Sequence, residues 1–391
     1  MLESDQRRRL LELLRIPTAP FREQRVRAWA EACLDDWRIP HFRDPHGNLL
    51  VGVASRGDYR QLLAARSREP VRLYIAHMDH PGFHGVRWLD DTRLAVRWLG
   101  GSPTRYLSGA AVWLCDAEGE RIPGRLYRPV THPQGYGITA AEVRVHRRDR
   151  ARLPRAASRV FGGWAFRAPA WRSGRRIHAC AVDDLAGVFA ILETARTQFA
   201  SRRRPPFIGL LTRAEEVGFV GAIAHLQLGW WRAARQRPLV CVSLEASRTL
   251  PGAEIGKGPV VRLGDRRSLF DPGGMHLLSQ LAEQELPGRH QRRIMDGGSC
   301  EATATTAFGL RTLGLTVPLG NYHNEGYEGG PDCRRPRGPA PEFVHEGDVA
   351  GMLALCEALM APRLPWHDPW RTLRERLIGN RERHARLLLT D

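Results

Sequence analysis

Five short apolar runs in this chain lead into residues whose side chains bind metal ions. His77 and Asp183 each come directly after such a run, and Glu245 ends another. Glu216 and His323 follow the other two runs within a few residues. Two imidazoles and several carboxylates at one place suit a pair of divalent cations, and such a pair activates water for hydrolysis. The residue types therefore indicate a hydrolytic metal centre.

Buried strands of a sheet would bring these residues together. The runs are rich in Val, Ile and Leu, which predicts that each forms a strand of one central sheet. They cover residues 71–76, 177–182, 207–212, 239–244 and 313–319. In open α/β sheets, ligands bind in the crevice beyond the carboxyl ends of the strands. We therefore expect the metal-binding residues to converge at one edge of the sheet.

Taken singly, most of these residues have an ordinary structural explanation. An isolated histidine after a strand is more often a core or surface residue than a ligand. Asp183-Asp184 would serve as a helix N-cap, and Glu215-Glu216 as the solvated first turn of a helix. Glu245 is harder to explain, because a strand-end carboxylate is costly to bury. We favour the metal pair because it accounts for all of these positions together.

The ligand count is sufficient for two ions. Each ion needs at least three protein ligands and an open position, and this is met if one carboxylate binds both ions. Asp79 lies two residues after His77, so its side chain can hold that imidazole in the correct tautomer. Of Glu215 and Glu216, only one need bind metal, which leaves the other free to act as general base.

Length and composition indicate a folded protein without a membrane span. The chain has 391 residues, of which 42% are hydrophobic, so it can bury a large core. No apolar run reaches the ~18 residues that a membrane helix needs. The N-terminal residues lack the apolar stretch of a signal peptide, and the 7 cysteines form no CxxC pair. These features predict a cytoplasmic protein.

The net charge of +17 raises the alternative of a polyanion-binding protein. Of the 59 basic residues, all except Lys257 are arginine, a bias that indicates codon usage more than selection of a binding face. No nucleic-acid recognition motif accompanies the charge, so we expect no specific nucleic-acid partner. An arginine-rich protein with a vestigial metal site and weak, salt-sensitive polyanion binding stays open as a third hypothesis.

The sequence pattern changes between residues 84 and 168. Short alternating segments broken by Gly and Pro are typical of a small β-barrel or sandwich. On either side, apolar runs alternate with helical patterns; one helix is predicted to begin after Asp184. We therefore predict a catalytic α/β domain formed by residues 1–83 and 169–391, with residues 84–168 inserted as a β domain.

The motifs around the candidate ligands resemble those of the TET-type di-metal aminopeptidases, which are related to the glutamyl and deblocking aminopeptidases among the co-catalytic zinc exopeptidases. Asp183 follows His77 by 106 positions, and in this family a β domain occupies that gap. The matching motifs are residues 76–79, 181–187, 212–218, 242–245 and His323.

The resemblance implies a role for each candidate residue. His77 and Glu245 would bind one metal ion, Glu216 and His323 the other, and Asp183 would bridge them. Glu215 would be the general base, with Asp79 as the catalytic residue that orients its neighbour His77. The implied cofactors are two divalent ions, zinc or cobalt, because mixed imidazole and carboxylate ligands do not select sharply.

The resemblance also implies a fold, an activity and an assembly. The fold would be a mixed-sheet α/β/α exopeptidase-like catalytic domain with an inserted small β-barrel domain, which serves dimerisation or substrate access. The activity would be removal of N-terminal residues from short peptides. The assembly would be a homo-oligomer, with a hollow dodecamer as the state implied by the family.

Some positions depart from the family pattern. Glu245 stands where the family usually has Asp, and His80 replaces a Glu, with His84 as a further imidazole nearby. The family's Gly-Gly-Thr-Asp-Ala segment has Cys300 or Glu301 in place of its Asp. Because this segment contributes to substrate binding, a second hypothesis is an amidohydrolase or deacylase that uses the same site on N-acyl substrates.

Overall fold

A computed structural model describes residues 1–116, 119–135, 137–201, 204–330 and 333–389. Within these ranges the chain forms seventeen strands and ten α-helices. The strands are β1 His41–Arg43, β2 Leu49–Val51, β3 Val71–His77, β4 Gly82–Trp88, β5 Arg93–Leu99, β6 Ala110–Cys115, β7 Ile122–Thr131, β8 Ile138–Val145, β9 Phe161–Trp164, β10 Ala170–Ser173, β11 Arg176–Ala179, β12 Phe207–Thr212, β13 Leu239–Arg248, β14 Val260–Asp265, β15 Gln291–Met295, β16 Arg311–Leu319 and β17 Glu342–His345.

The helices lie mainly outside the segment between β4 and β9. The first pair, α1 and α2, corresponds to the N-terminal part of the chain, and α10 has no buried residue. The helices are α1 Ser4–Leu14, α2 Gln24–Asp36, α3 Arg56–Ala64, α4 Arg147–Arg150, α5 Leu185–Phe199, α6 Val220–Gln227, α7 Pro272–Glu285, α8 Glu301–Ala307, α9 Glu346–Ala358 and α10 Arg371–His384. None of the described helices is long and apolar enough to cross a membrane.

The central sheet is mixed and has eight strands in the order β1-β2-β12-β3-β13-β16-β14-β15. Its four middle strands, β12, β3, β13 and β16, run parallel to one another. Strand β14 is antiparallel to β16, and β2 is antiparallel to β12. Parallel neighbours end at the same edge of a sheet, so the middle strands deliver their last residues to one place.

Helices cover both faces of this sheet. Along β3, Leu73 and Ile75 pack into one apolar cluster, whereas Tyr74 and Ala76 pack into another. This alternation is the two-residue period of a strand that is buried on both faces. The predicted α/β/α arrangement is therefore confirmed, and α5, in which residues 185–195 are all buried, fills the layer next to β3.

A closed barrel of six antiparallel strands, in the order β4-β5-β8-β7-β6-β9, is inserted between β3 and β10. It has its own apolar core, formed around Phe83, Trp98, Val112, Val143 and Trp164. The predicted small β-barrel is therefore confirmed. Its strands run from Gly82 to Trp164, while the domain limits at 84 and 168 stay a prediction.

One of the predicted central strands is wrong. The run 177–182 is not part of the central sheet; its first residues form β11, which lies between β10 and β17 in a separate three-stranded antiparallel sheet. The strand ends at Ala179, and the following residues leave it to approach the central sheet. Apolar composition alone could not distinguish the two sheets, because both bury this strand.

Candidate metal centre

The ends of four elements meet at the carboxyl edge of the central sheet. His77 is the last residue of β3, and Glu215 begins a short 3-10 helix three residues after β12 ends. Glu245 lies within β13, three residues before its end. His323 lies in a 3-10 turn that follows β16. The parallel middle strands therefore bring residues that are far apart in sequence to one edge.

Asp183 reaches the same edge from the three-stranded sheet. It lies between β11 and α5, next to Asp184, and the peptide bond between the two is cis. Asp184 caps α5, because its Oδ1 accepts a hydrogen bond of 3.0 Å from the amide of Gly187. The N-cap explanation thus holds for Asp184, while the side chain of Asp183 points towards the histidines.

Three groups of candidate ligands occur among the described residues: two of them share Asp183, and the third combines His77, Glu215 and Glu216. His77, Asp183 and Glu245 place one ligand atom each within 4.8 Å of one another, and so do Asp183, Glu216 and His323. His77 Nε2 lies 3.4 Å from Asp183 Oδ1, and His323 Nε2 lies 3.1 Å from Glu216 Oε2. Two ligand triads with one common carboxylate are the arrangement expected for a dinuclear centre.

Several buried polar atoms of this cluster have no hydrogen-bond partner among the described residues. Asp183 Oδ1, Glu216 Oε1, Glu245 Oε1 and His323 Nε2 are buried without a hydrogen bond to the described part of the chain. Buried carboxylates without partners are costly, because their charges repel one another and have lost water. Divalent cations would remove that cost, so the residues present fit a pair of metal ions.

The protonation of the cluster reflects the same crowding. Burial raises the pKa of Glu215 and of Glu245 well above the ordinary range, and neighbouring carboxylates act in the same direction. Burial opposes the charged form of His77, but the carboxylates around it outweigh burial and raise its pKa well above its usual value. Negative charge thus dominates the site, as a cation-binding centre requires.

Asp79 connects the two sides of the cluster. Its Oδ1 accepts a hydrogen bond of 2.9 Å from the amide of Glu215, and its Oδ2 accepts one of 3.2 Å from the amide of Glu216. His77 Nδ1 lies 3.1 Å from the carbonyl oxygen of Asp79 and 3.6 Å from its Oδ1. Asp79 therefore orients an imidazole and both glutamates at once, a wider role than the sequence suggested.

The additional histidines do not join the ligand set. Both ring nitrogens of His80 face protein oxygens, at 2.9 Å from the carbonyl of Asp183 and at 3.1 Å from Asn324 Oδ1. His84 lies in the barrel and places its Nε2 2.8 Å from the carbonyl oxygen of Pro20. The replacement of Glu by His80 has thus produced a structural contact beside the centre.

The altered glycine-rich segment places Glu301 against the end of β12 and Cys300 against β13. Glu301 is fully buried at the start of α8 and accepts a hydrogen bond of 2.5 Å from Thr212 Oγ1. Burial raises the pKa of Glu301 to about 7. Cys300 Sγ instead lies 3.7 Å from Ser243 Oγ. The acidic group of this segment is therefore Glu301.

Glu342 is a buried residue of the site that the sequence did not reveal. Its Oε2 accepts hydrogen bonds from the amides of Val182, at 2.8 Å, and Asp183, at 3.2 Å. Its Oε1 accepts one of 2.9 Å from the amide of His323. One carboxylate therefore holds the two loops that carry the shared aspartate and the late histidine. A lone Glu at the start of a short strand gives no sequence signal for this role.

Arg262 is a second residue that the sequence analysis missed. It is buried in β14 and lines a pocket beside Glu245 and Tyr322. Its Nη1 donates to Ser247 Oγ at 3.3 Å, its Nε has no hydrogen-bond partner, and it forms no ion pair with a described carboxylate. The sequence signal for this residue was an arginine within an apolar strand, because arginine is rarely buried unless it has a charged or polar partner.

Comparison with known proteins identifies a peptidase family whose model covers most of the candidate site residues. A family model described as M42 glutamyl aminopeptidase matches residues 164–327, a range that contains Asp183, Glu215, Glu216, Glu245 and His323. No curated protein matches the chain in sequence.

Solved structures share the fold at low sequence identity. The TET1 peptidase of Pyrococcus horikoshii is 21% identical, with a TM-score of 0.68 over 92% of this chain and 99% of that chain. An aminopeptidase of Desulfurococcus kamchatkensis is 18% identical, with a TM-score of 0.69 over 92% and 97%. A Thermotoga maritima protein described as an endoglucanase is 15% identical, with a TM-score of 0.63 over 92% and 99%.

These matches show the class of fold: the chain has the α/β fold with an inserted barrel that M42 peptidases and related aminopeptidases share. Within that class, the resemblance to TET-type aminopeptidases indicated by the motifs is confirmed by the family match and by the TET structures. One of these structures is described as an endoglucanase, and function is a property of the site more than of the fold.

Proposed function

We propose that this protein is a metal-dependent aminopeptidase that removes N-terminal residues from short peptides. The observation that carries the proposal is the pair of ligand triads sharing Asp183, in which four buried polar atoms have no hydrogen-bond partner among the described residues. The M42 match supports a peptidase over other hydrolases that could use such a centre.

The two triads assign the ligands. His77 and Glu245 would hold one divalent cation, Glu216 and His323 the other, and Asp183 would contact both. When bound, the cations would supply Lewis-acid activation of water and of the scissile carbonyl. Zinc or cobalt is the proposed metal, because two imidazoles among carboxylates suit either ion.

Glu215 belongs to neither of the two triads that share Asp183, although it forms a third group with His77 and Glu216. We assign it as the general base, which accepts a proton from the attacking water and delivers it to the leaving amine. Its side chain is held at the edge of the centre, with Oε2 3.8 Å from His77 Nε2. Asp79 fixes its backbone amide, so the base keeps its position while it exchanges a proton.

Arg262 supports a preference for an acidic N-terminal residue. The pocket beside Glu245 contains this buried guanidinium, which donates to Ser247 Oγ and forms no ion pair with a carboxylate among the described residues. A substrate Asp or Glu side chain would provide one, through a charge-assisted hydrogen bond. The description of the matching family as glutamyl aminopeptidase points to the same substrate class.

The proposal is tested with Glu215→Gln and a panel of substrates. The variant should retain about two metal equivalents per chain and lose activity at least ~100-fold, as expected for loss of a general base. Full activity of the variant would contradict the assigned base. Glu- and Asp-anilides should be better substrates than Leu- and Lys-anilides, and Arg262→Met should reduce the difference.

The same panel separates the alternatives. Cleavage of N-acyl substrates with no cleavage of any free-amine peptide would favour the deacylase. Absence of bound metal, together with tight polyanion binding at physiological salt, would favour the vestigial-site hypothesis. The TET1 peptidase assembles into a tetrahedron or an octahedral shell; we propose a cytoplasmic homo-oligomer, such as a dodecamer, for this chain as well.

A further inference from the structure

A second cavity lies where the barrel meets the catalytic part of the chain, apart from the ligand triads. Its volume is about 680 Å³, within the range of about 300–1,000 Å³ that is usual for ligand pockets. We call it the arginine cleft and define it by its charged and aromatic lining residues, which are Tyr106, Arg125, Phe166, Arg167, Arg334 and Arg335.

The arginine cleft has strong positive charge and no acidic lining residue among those described. Arg125 Nη1 donates to the carbonyl of Gly109 at 3.0 Å, and the guanidinium of Arg335 lies 5.7 Å from the ring centre of Tyr106. None of Arg125, Arg334 and Arg335 forms an ion pair with a described carboxylate. Some exposed arginines elsewhere do have such a partner, for example Arg43, whose Nε lies 2.5 Å from Glu31 Oε1.

Two loops connect the arginine cleft with the candidate metal centre. On one wall, Gly101 packs so closely against the ring of His323 that an added Cβ atom would overlap it. On the other wall, the arms of the loop after His323 are paired by a hydrogen bond of 2.8 Å from the amide of Ala340 to the carbonyl of Asn324. Both walls therefore begin beside His323.

The same loops meet again at the cleft. Tyr106 follows Gly101 by five residues, and its ring packs beside Gly338, near the end of the second loop. Five residues span at most about 18 Å when fully extended. A bound peptide of about five or six residues could therefore reach from the centre to the cleft.

From this arrangement we propose that the arginine cleft binds carboxylate groups of the substrate on the leaving side of the scissile bond, and so selects peptides with acidic downstream residues. The proposal rests on the proposed aminopeptidase function, which places the N-terminus of the peptide at the centre. Guanidinium groups bind carboxylates through paired hydrogen bonds, which suits Arg334 and Arg335 to this role. The carboxylates belong either to Asp and Glu side chains or to the C-terminus of the peptide.

The test compares hexapeptides that share one N-terminal residue and differ at positions 4–6, which are either acidic or neutral. The wild type should show a lower KM for the acidic peptides. In Arg334→Ala/Arg335→Ala, the ratio of KM for acidic to neutral peptides should rise about tenfold. The matched control, Arg376→Ala/Arg381→Ala, removes the same charge from exposed helix α10 and should leave the ratio unchanged. Equal ratios in all three proteins would overturn the proposal.

A direct measurement of peptide binding tests the arginine cleft independently of the proposed catalytic function. N-acetylated fluorescent peptides are not substrates of an aminopeptidase, and their anisotropy reports affinity even if the enzyme proves inactive. A mass spectrum of the peptide after the titration checks that the acetyl group, which a deacylase would remove, is still present. Binding of the acidic peptide should weaken in the cleft variant and not in the control. Amidation of the C-terminus identifies the source: a loss of affinity assigns the terminal carboxylate, and no loss assigns the side chains. A change of oligomeric state with unchanged peptide affinity would show instead that the cleft is an interface between copies, and would refute the proposal.

Discussion

Glu342 should control metal affinity without touching the metal, and Glu342→Gln tests this directly. The carboxylate accepts three backbone hydrogen bonds, from Val182, Asp183 and His323. A glutamine has a single carbonyl oxygen, so its NH₂ group must face at least one of these N–H donors. If the carbonyl oxygen faces Val182 and Asp183, the amide of His323 loses its acceptor.

The expected magnitude follows from this count. One buried donor without a partner costs about 1–3 kcal/mol of unfolding free energy, and the flipped amide, which leaves two donors unpaired, costs more. Burial raises the pKa of Glu342, and the amides of Val182 and Asp183 act against this rise, so they stabilise the charged acceptor. Residues that orient metal ligands typically change metal affinity or activity by about 10–100-fold when they are mutated.

The assay measures both quantities. Urea unfolding gives the loss of stability, and titration of the metal-free protein with zinc gives the affinity of each site. The control is Glu193→Gln, which neutralises a buried glutamate of α5 whose Oε1 lies 2.6 Å from Nε of Arg9 in α1. The control should lose stability and keep its metal affinity. Equal metal affinities in the two variants would refute the positioning role of Glu342.

Three further predictions concern other parts of the structure. Gly101→Ala should displace the ring of His323 and reduce bound metal from about two equivalents to about one, as measured by elemental analysis. Burial lowers the pKa of His84 to about 4, whereas in the unfolded chain this histidine binds its proton from pH ~6.5 downward. The free energy of unfolding should therefore fall by at most about 3 kcal/mol between pH 6.5 and 4. His84→Gln should flatten this dependence of the unfolding free energy on pH. Burial raises the pKa of Cys300 to about 11, so iodoacetamide at neutral pH should label this thiol only after unfolding, as followed by mass spectrometry.

Each of these predictions has an outcome that contradicts it. Two metal equivalents in Gly101→Ala would mean that the loop yields to the methyl group; Gly57→Ala, where nothing lies closer than 3.6 Å to the added atom, is the control. An unchanged acid profile in His84→Gln would assign the acid sensitivity to other groups. Labelling of Cys300 in the folded protein, with loss of activity, would revive it as a reactive residue.

The sequence alone determined much of the architecture. Runs of Val, Ile and Leu predicted the middle strands of the central sheet, because a strand buried on both faces has no room for polar side chains. Alternation broken by Gly and Pro indicated the inserted barrel. The residue types and their positions after apolar runs also indicated His77, Asp183, Glu216, Glu245 and His323, which the structure brings together as two triads.

The tertiary structure determined which sheet one strand joins and which partners the buried polar groups have, because both depend on which residues lie close together in space. It moved the run before Asp183 into a separate sheet, because burial is compatible with either partner. It gave Glu342 its role, since three donors from distant loops meet at one carboxylate only after the chain has folded. It gave both ring nitrogens of His80 oxygen partners in the protein and placed Glu301 against Thr212 at the end of β12. Local patterns specify which side chains are available and which strands are buried, whereas the partners of a buried polar group depend on long-range packing that no local spacing encodes.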